Sequence, residues 1–295
     1  MIGDRQVAPA PDGPPSPARA AHSGGQGPRV LFCGDRAVSV ELVSFLRRQG
    51  ATIVALGIND PRWSPYGEAI RAASGLADDE VYVAKAFKSA AARERLAAPD
   101  ADLGVCCGFD TILPGWLLRL PRWGWVNLHR SYLPLNRGLD PLQWALIDET
   151  AVGVTLHVMT EEVDAGPIID QEQLACSPTD TGETLSGRAD QSILHLFARN
   201  WPRLATGSIE ARRQNHDAAT YHSMAECLAI RRLDVDELST VGRVLAVLRA
   251  YSFNSEGRAF FRNGGAQYSV RIIVEPASLS DSPATEISDE AAKTR

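Results

Sequence analysis

No stretch of this 295-residue chain holds the roughly 20 consecutive apolar residues that a membrane-spanning helix needs. The N-terminus lacks the apolar core of a secretory signal. Cysteine is scarce: five residues, no CxxC pair and an odd count, which argues against a disulfide framework. Cys33, Cys106 and Cys107 sit in apolar runs and read as buried thiols. The six histidines show no ligand spacing with cysteines or carboxylates, so no metal site is expected. Nor is there an excess of basic charge. Against 36 acidic residues stand 30 lysines and arginines, for a net charge of −6, which disfavours nucleic acid and anionic membrane as partners. What is there, 44% hydrophobic and 22% charged residues, is an ordinary globular composition. The length suits one α/β domain plus a smaller unit, and a cytoplasmic location is expected.

Residues 1–28 are dense in Pro, Gly and Ala and nearly free of large apolar side chains, so they are expected to be a disordered tail. The stretch 276–295 reads the same way. Between them, short apolar runs alternate with helical periodicity. RVLFCGD, ATIVALGIND, VYVA and DLGVCCGF are strands, and AVSVELVSFLRRQG, AIRAASG and SAAARERLAAPDA are helices. The strands are apolar throughout instead of alternating in polarity, as in a parallel sheet covered on both faces. WGWVNLH and VGVTLHVM add strands around the helix LDPLQWALID, and ETLSGRADQSILHLFARNWPRLATG is a long amphipathic helix. A boundary is expected at 207. Beyond it come a helix, VGRVLAVLRAYS, and a hairpin turning at Asn263-Gly264-Gly265.

Three segments concentrate polar side chains at strand ends. Asn127 and His129 close the run WGWVNLH; two apart on a strand, they project to one face. Asp164 follows the strand VTLHVM, and GFDTILP follows the strand LGVCC. Open α/β sheets bind ligands beyond such carboxyl ends.

NLHRSYLP and VTLHVMTEEVDAGPII resemble the paired signatures of the formyltetrahydrofolate-dependent formyltransferases, in which an Asn-x-His pair is followed at this distance by an Asp. The family includes glycinamide ribonucleotide, methionyl-tRNA and nucleotide-linked amino-sugar formyltransferases. The resemblance implies an α/β fold: a Rossmann-like, mostly parallel sheet forming a catalytic domain over 29–207, with a small α+β C-terminal subdomain over 208–275. It implies formyltetrahydrofolate as donor co-substrate and Asn127, His129 and Asp164 as the catalytic three. Those residue types suit attack of an amine on an amide-like carbon. An Asn amide donates to the oxyanion. A His that titrates near neutrality donates as imidazolium or carries a proton. A carboxylate at Asp164 is expected to raise the His129 pKa, or to hold a proton-relaying water.

For the folate, the resemblance implies Phe109, Ile112 and Leu113 together with Glu162, Val163 and Asp164. Arg137 reads either as a contact to an anionic substrate group or as a surface arginine. His157 is either support for the site or core packing. The phosphate loop of the purine-pathway enzyme is replaced by GDRAVSVE, and residues 211–274 differ from the C-terminal domain of the tRNA enzymes. TYHSMAECLAIRRLDVDELSTVGRVLAVLRAYSF resembles the corresponding region of the nucleotide-linked amino-sugar N-formyltransferases. Tyr221, His222, Arg249 and Phe253 are thereby implied as contacts to nucleotide or sugar, against ordinary packing of a small subdomain. The usual Pro-rich turn is here Phe253-Asn254-Ser255-Glu256-Gly257. The expected function is formylation of a primary amine on a nucleotide-linked sugar. The alternatives are another small amine, such as an amino-acid-type or antibiotic precursor, methionyl-tRNA, or a non-catalytic folate- or nucleotide-binding protein. A homodimer is compatible with each.

Overall fold

Val30 and Phe32 pack on one side of the first strand, Leu31 and Cys33 on the other, and all four are buried. A strand that is apolar at every position belongs at the centre of a covered sheet. The computed structural model describes residues 27–277 apart from 61, 63, 254 and 255. The segments expected to be disordered, 1–28 and 276–295, lie outside the described residues except for 27, 28, 276 and 277.

In chain order the larger unit comprises β1 (Arg29–Gly34), α1 (Ala37–Arg48), β2 (Thr52–Ile58), α2 (Gly67–Ser74), β3 (Val81–Val83), α3 (Ala90–Ala97), β4 (Leu103–Cys107), α4 (Gly115–Leu118), β5 (Trp125–His129), β6 (Arg137–Gly138), α5 (Pro141–Ile147), β7 (Gly153–Val158), β8 (Ile168–Gln173) and α6 (Gly182–Leu204). Seven strands form one sheet in the order β3-β2-β1-β4-β5-β7-β8. Pairing is parallel from β3 to β5 and antiparallel at β5–β7 and β7–β8. The mostly parallel sheet read from the sequence is therefore present, with an antiparallel edge. Leu42 and Leu46 of α1 and Ile193, Leu196 and Phe197 of α6 cover one face. Leu96 of α3, Leu117 of α4 and Trp125 lie in the cluster on the other. Helix α1 stops where expected: Gly50 follows it with φ of 81°, a conformation that glycine adopts without a Cβ penalty.

The smaller unit adds β9 (Tyr221–His222), α7 (Met224–Ile230), α8 (Val241–Ala250), β10 (Ser252–Phe253), β11 (Glu256–Gly257), β12 (Ala259–Asn263) and β13 (Ala266–Val270). It is tied to the larger one through β9, which pairs in parallel with β6, and through α8, whose Val247 and Ala250 join the core cluster that contains α5 and α6. Several elements had not been read from the sequence, among them β8 and α7 beside the short α4, β6, β9, β10 and β11. β8 is an edge strand with only Ile168 buried, and α7 starts at Ser223, whose hydroxyl accepts from the Glu226 N–H in a capping box. Among the described residues no helix is long and apolar enough to cross a membrane.

Candidate active site

Val126 and Leu128 of β5 face the α1–α6 core, so Asn127 and His129 face the other way, into a cavity of about 600 Å³. The cavity lies beyond the ends of β1, β4 and β5 and is lined by Arg36, by 106–113 and by 127–130. Residues 159–164, between β7 and β8, form a further wall, and the smaller unit contributes Tyr221, Met224, Cys227 and Arg231. Cys106 on this wall is no nucleophile, because burial pushes its thiol well above the ordinary range.

Asn127, His129 and Asp164 meet there. The Asn127 amide donates to Asp164 Oδ1 at 3.3 Å, and His129 Nδ1 lies 3.6 Å from Asp164 Oδ2. The Gly138 N–H donates to the same Oδ2 at 2.9 Å. His157 completes the cluster. It stands directly across the antiparallel β5–β7 pair from Asn127, so the two side chains share a face. Its Nδ1 faces the carbonyl of Val158 at 3.0 Å, and a carbonyl only accepts, so Nδ1 carries the proton. Nε2 is then free to accept from the Asn127 amide at 3.1 Å. Both Asn127 N–H groups are thus engaged in the resting site, one by a carboxylate and one by an imidazole.

The same reasoning fixes His129. Its Nε2 lies 3.1 Å from the carbonyl of Asn136 and must donate to it. In the neutral ring Nδ1 is therefore the basic nitrogen, held beside Asp164. The Asp164 charge acts on His129 in the expected direction, raising its pKa, but burial acts against it. Burial is the largest influence and lowers it; the Asp164 charge opposes burial without overcoming it. His129 therefore rests as a neutral base. Burial also works against ionisation of Asp164, but the His129 and His157 rings and the Gly138 N–H together hold its carboxyl below the usual carboxylate range. The arrangement is a neutral imidazole that becomes stabilised, by the adjacent carboxylate, once it takes a proton.

Asp164 sits at φ of 51°, a left-handed conformation that costs a non-glycine residue about 1–2 kcal/mol. Two residues on, a Cβ on Gly166 would lie 1.8 Å from the carbonyl oxygen of Val158, so only glycine lets the loop pass that close to β7.

Phe109, Ile112, Leu113, Glu162 and Val163 all line the cavity. Ile112 is 72% exposed, an apolar side chain at the rim. The residues read as acceptor contacts are placed unevenly. Tyr221 lines the cavity and is exposed. Arg137 is buried behind the wall, its guanidinium spent on Gln214 at 2.8 and 3.2 Å and near Glu162 at 3.6 Å. His222 is buried flat against Trp144, ring centroids 3.9 Å apart, and faces Asn136 Oδ1 at 3.2 Å. Phe253 lies under Arg258, 4.1 Å from its guanidinium, and near Gly182, outside the cavity. Arg249 donates to the carbonyls of Ser177 and Asp180 at 2.7 and 2.8 Å. Replacing Arg249 with Ala is accordingly expected to leave kcat/KM unchanged while costing about 1–3 kcal/mol in urea unfolding, the usual loss for charge-assisted hydrogen bonds.

Arg36, Met224 and Arg231 on the cavity wall had no signal in the sequence beyond residue type. His157 had one, its place on the strand opposite Asn127, but that register follows only from the direction of β7. Among the described residues no group of three or more His, Cys, Asp or Glu side chains is arranged to hold a metal ion.

Residues 33–198 match the family model for formyl transferases. The chain belongs to that family. In this formyltransferase a second match covers residues 226–276, to the N-formyltransferase dimerization C-terminal domain. A methionyl-tRNA formyltransferase of Thermotoga maritima is 29% identical over 243 residues, 80% of this chain and 76% of the relative. One from Deinococcus radiodurans is 32% identical over 192 residues, 62% of this chain and 60% of the relative. In fold, the formyltransferase is similar to a sugar N-formyltransferase from Shewanella, with a TM-score of 0.72 and 21% identity over 85% of this chain and 99% of that one. A 4-N formyltransferase from Francisella tularensis gives 0.71 and 20% over 86% and 100%.

Proposed function

We propose that this formyltransferase moves the formyl group of formyltetrahydrofolate to the primary amine of a nucleotide-linked amino sugar. The observation that carries the transfer chemistry is the meeting of Asn127, His129 and Asp164 at one wall of a 600 Å³ cavity, with a neutral imidazole beside an ionised carboxylate. The residues present fit the donor. Phe109, Leu113 and Met159 offer apolar surface for a flat heterocycle, and 160–163 offer backbone groups for its polar edge. The donor supplies the carbon that is attacked.

The side chains then have separate tasks. As the amine nitrogen bonds to the formyl carbon, the carbonyl electron pair moves to oxygen, and the Asn127 amide turns a donor from its resting partners to that oxygen. His129 Nδ1 takes the proton that the amine sheds, and Asp164 stabilises the resulting imidazolium. The oxygen's electron pair then re-forms the carbonyl, the bond from the formyl carbon to the folate nitrogen breaks, and that nitrogen receives the proton from His129. Charge is conserved, and the two resting partners of Asn127 hold its amide at the cavity wall until the oxyanion forms.

For the acceptor, two observations favour the amino sugar. The solved sugar N-formyltransferase and 4-N formyltransferase named above are matched in fold over nearly their whole length, and the C-terminal match is to an N-formyltransferase domain. The curated relatives favour a second reading, methionyl-tRNA. The net charge of −6 and the missing basic surplus weigh against it. Incubation with formyltetrahydrofolate and a panel of nucleotide-linked amino sugars, free amino acids and methionyl-tRNA, read by mass spectrometry for the gain of one formyl group, decides. Formylation of tRNA alone would replace the proposal with the second reading, and no formylated product would remove both.

A further inference from the structure

Gln214 lies between the two matched segments, after residue 198 and before 226. It is 5% exposed, in the short connection between the bridge of Arg212 to Ile168 and the 3-10 turn at His216–Ala218. Every hydrogen-bonding position of its amide is filled. Nε2 donates to the carbonyl of Asp164 at 2.8 Å and to the carbonyl of Gly166 at 2.7 Å. Oε1 accepts from Arg137 Nε at 3.2 Å and from its terminal nitrogen at 2.8 Å. Two donors and two acceptor positions are all a primary amide has. The amide is therefore oriented without ambiguity, because turning it over would set NH2 against a guanidinium and oxygen against two carbonyls.

From this the geometry points to Gln214 as the positioning residue of Asp164, with Arg137 as the group that orients it. The inference rests on Asp164 being the catalytic carboxylate. Asp164 holds a left-handed backbone that is not its preferred state. Its carboxylate is aimed by the Gly138 N–H and by Asn127, and its carbonyl is held from behind by Gln214. Arg137 adds a second grip on the same loop through Glu162. It also ties the clamp to β6, the strand that ends in Gly138. The clamp thus joins the two sides of the carboxylate: the segment that supplies its N–H partner and the loop that carries it. Buried polar networks of this kind stay specific only while every member is satisfied.

The test uses the full chain with ¹⁵N-labelled histidine and follows the His129 ring by NMR through a pH titration, which needs no acceptor amine. The groups facing that ring are Asp164, His157 and Arg36, with the Asn136 carbonyl on Nε2. Gln214→Met keeps the side-chain length and removes both donors without adding charge. Asp164 then drifts from His129, and the titration midpoint of the ring falls by about half a pH unit or more as an opposite charge is withdrawn. Asp164→Asn sets the full size of that shift. Arg137→Lys, which keeps the cation but loses the fork, shifts it less in the same direction. With an amine in hand, Gln214→Met lowers kcat more than it raises KM. A variant with a lowered unfolding midpoint but the wild-type His129 titration makes Gln214 a packing residue only and overturns the inference. If Gln214→Met does not fold, Arg137→Lys decides by the same reading. Failure of the amine panel would leave the titration intact, since it reads only the contact between His129 and Asp164.

Discussion

Asp164→Asn is expected to lower kcat about 10²–10⁴-fold, the range typical of losing a positioned acid–base partner, with folding nearly unchanged. Asn keeps the shape and can still accept from the Gly138 N–H, so the loop remains seated. What disappears is the charge that stabilises protonated His129. The pH dependence carries the sign. In the native enzyme burial lowers the His129 pKa from the ordinary 6.5, so the ring is a competent base at pH 7. Activity should fall only as the pH drops through that lowered value, where the ring is already protonated and cannot take the amine's proton. In Asp164→Asn burial persists while the opposing carboxylate is gone, so the acid limb moves to still lower pH as the plateau collapses. Comparing kcat profiles of both proteins on the same amine cancels the amine's own ionisation. An acid limb that moved upward in the variant, or a plateau within a factor of about three of wild type, would be incompatible with the role given to Asp164.

The parts of this site that sequence made legible are those set by local geometry. Asn127 and His129 are two apart on a strand whose neighbours Val126 and Leu128 are plainly core, so their common face follows from the pleat. Asp164 was reached through the family's spacing, and nothing local would have placed it. The direction of β7 is the step at which local reasoning ends. Only an antiparallel β7 sets His157 opposite Asn127, and an apolar run looks the same in either direction. Arg137 and His222 show the same limit from the other side. Both occupy two-residue strands, β6 and β9, that pair across more than 80 positions, and the pairing turns Arg137 and His222 inward. Their charge or ring chemistry invited a substrate role, while their partners, Gln214 and Asn136, are uncharged residues in irregular segments with no periodicity to report. Ser223 and Glu226 of α7 did carry a local signal, the three-residue spacing of a capping box, and the helix begins there.

Trp144→Ala should produce the largest loss of stability of any single change near the site, about 3–5 kcal/mol in urea unfolding, as for other buried aromatic truncations. Trp144 is 7% exposed on α5 and stacks on His222 with planes 5° apart, a contact that joins the larger unit to β9. Its indole N–H donates to Cys227 Sγ at 3.3 Å, fixing α7 as well. Trp144→Phe separates the two contributions. It keeps the stacked ring and loses the N–H, so about 1 kcal/mol should go, the usual net worth of one hydrogen bond. The activity readout follows from a chain of contacts. His222 faces Asn136 Oδ1, the Asn136 carbonyl accepts from His129 Nε2, and that bond leaves Nδ1 as the basic nitrogen. Removing the indole frees His222 to tilt, loosens Asn136 and so blurs the tautomer of His129, which lowers kcat. Cys227 loses its indole partner at the same time, and since it walls the cavity, KM for the acceptor should rise with it. Trp144→Phe, by contrast, should leave kcat near wild type because the ring that supports His222 is still there. Equal losses of kcat in both variants would place the effect in the bond to Cys227 and sever the proposed line from Trp144 through His222 to the catalytic base.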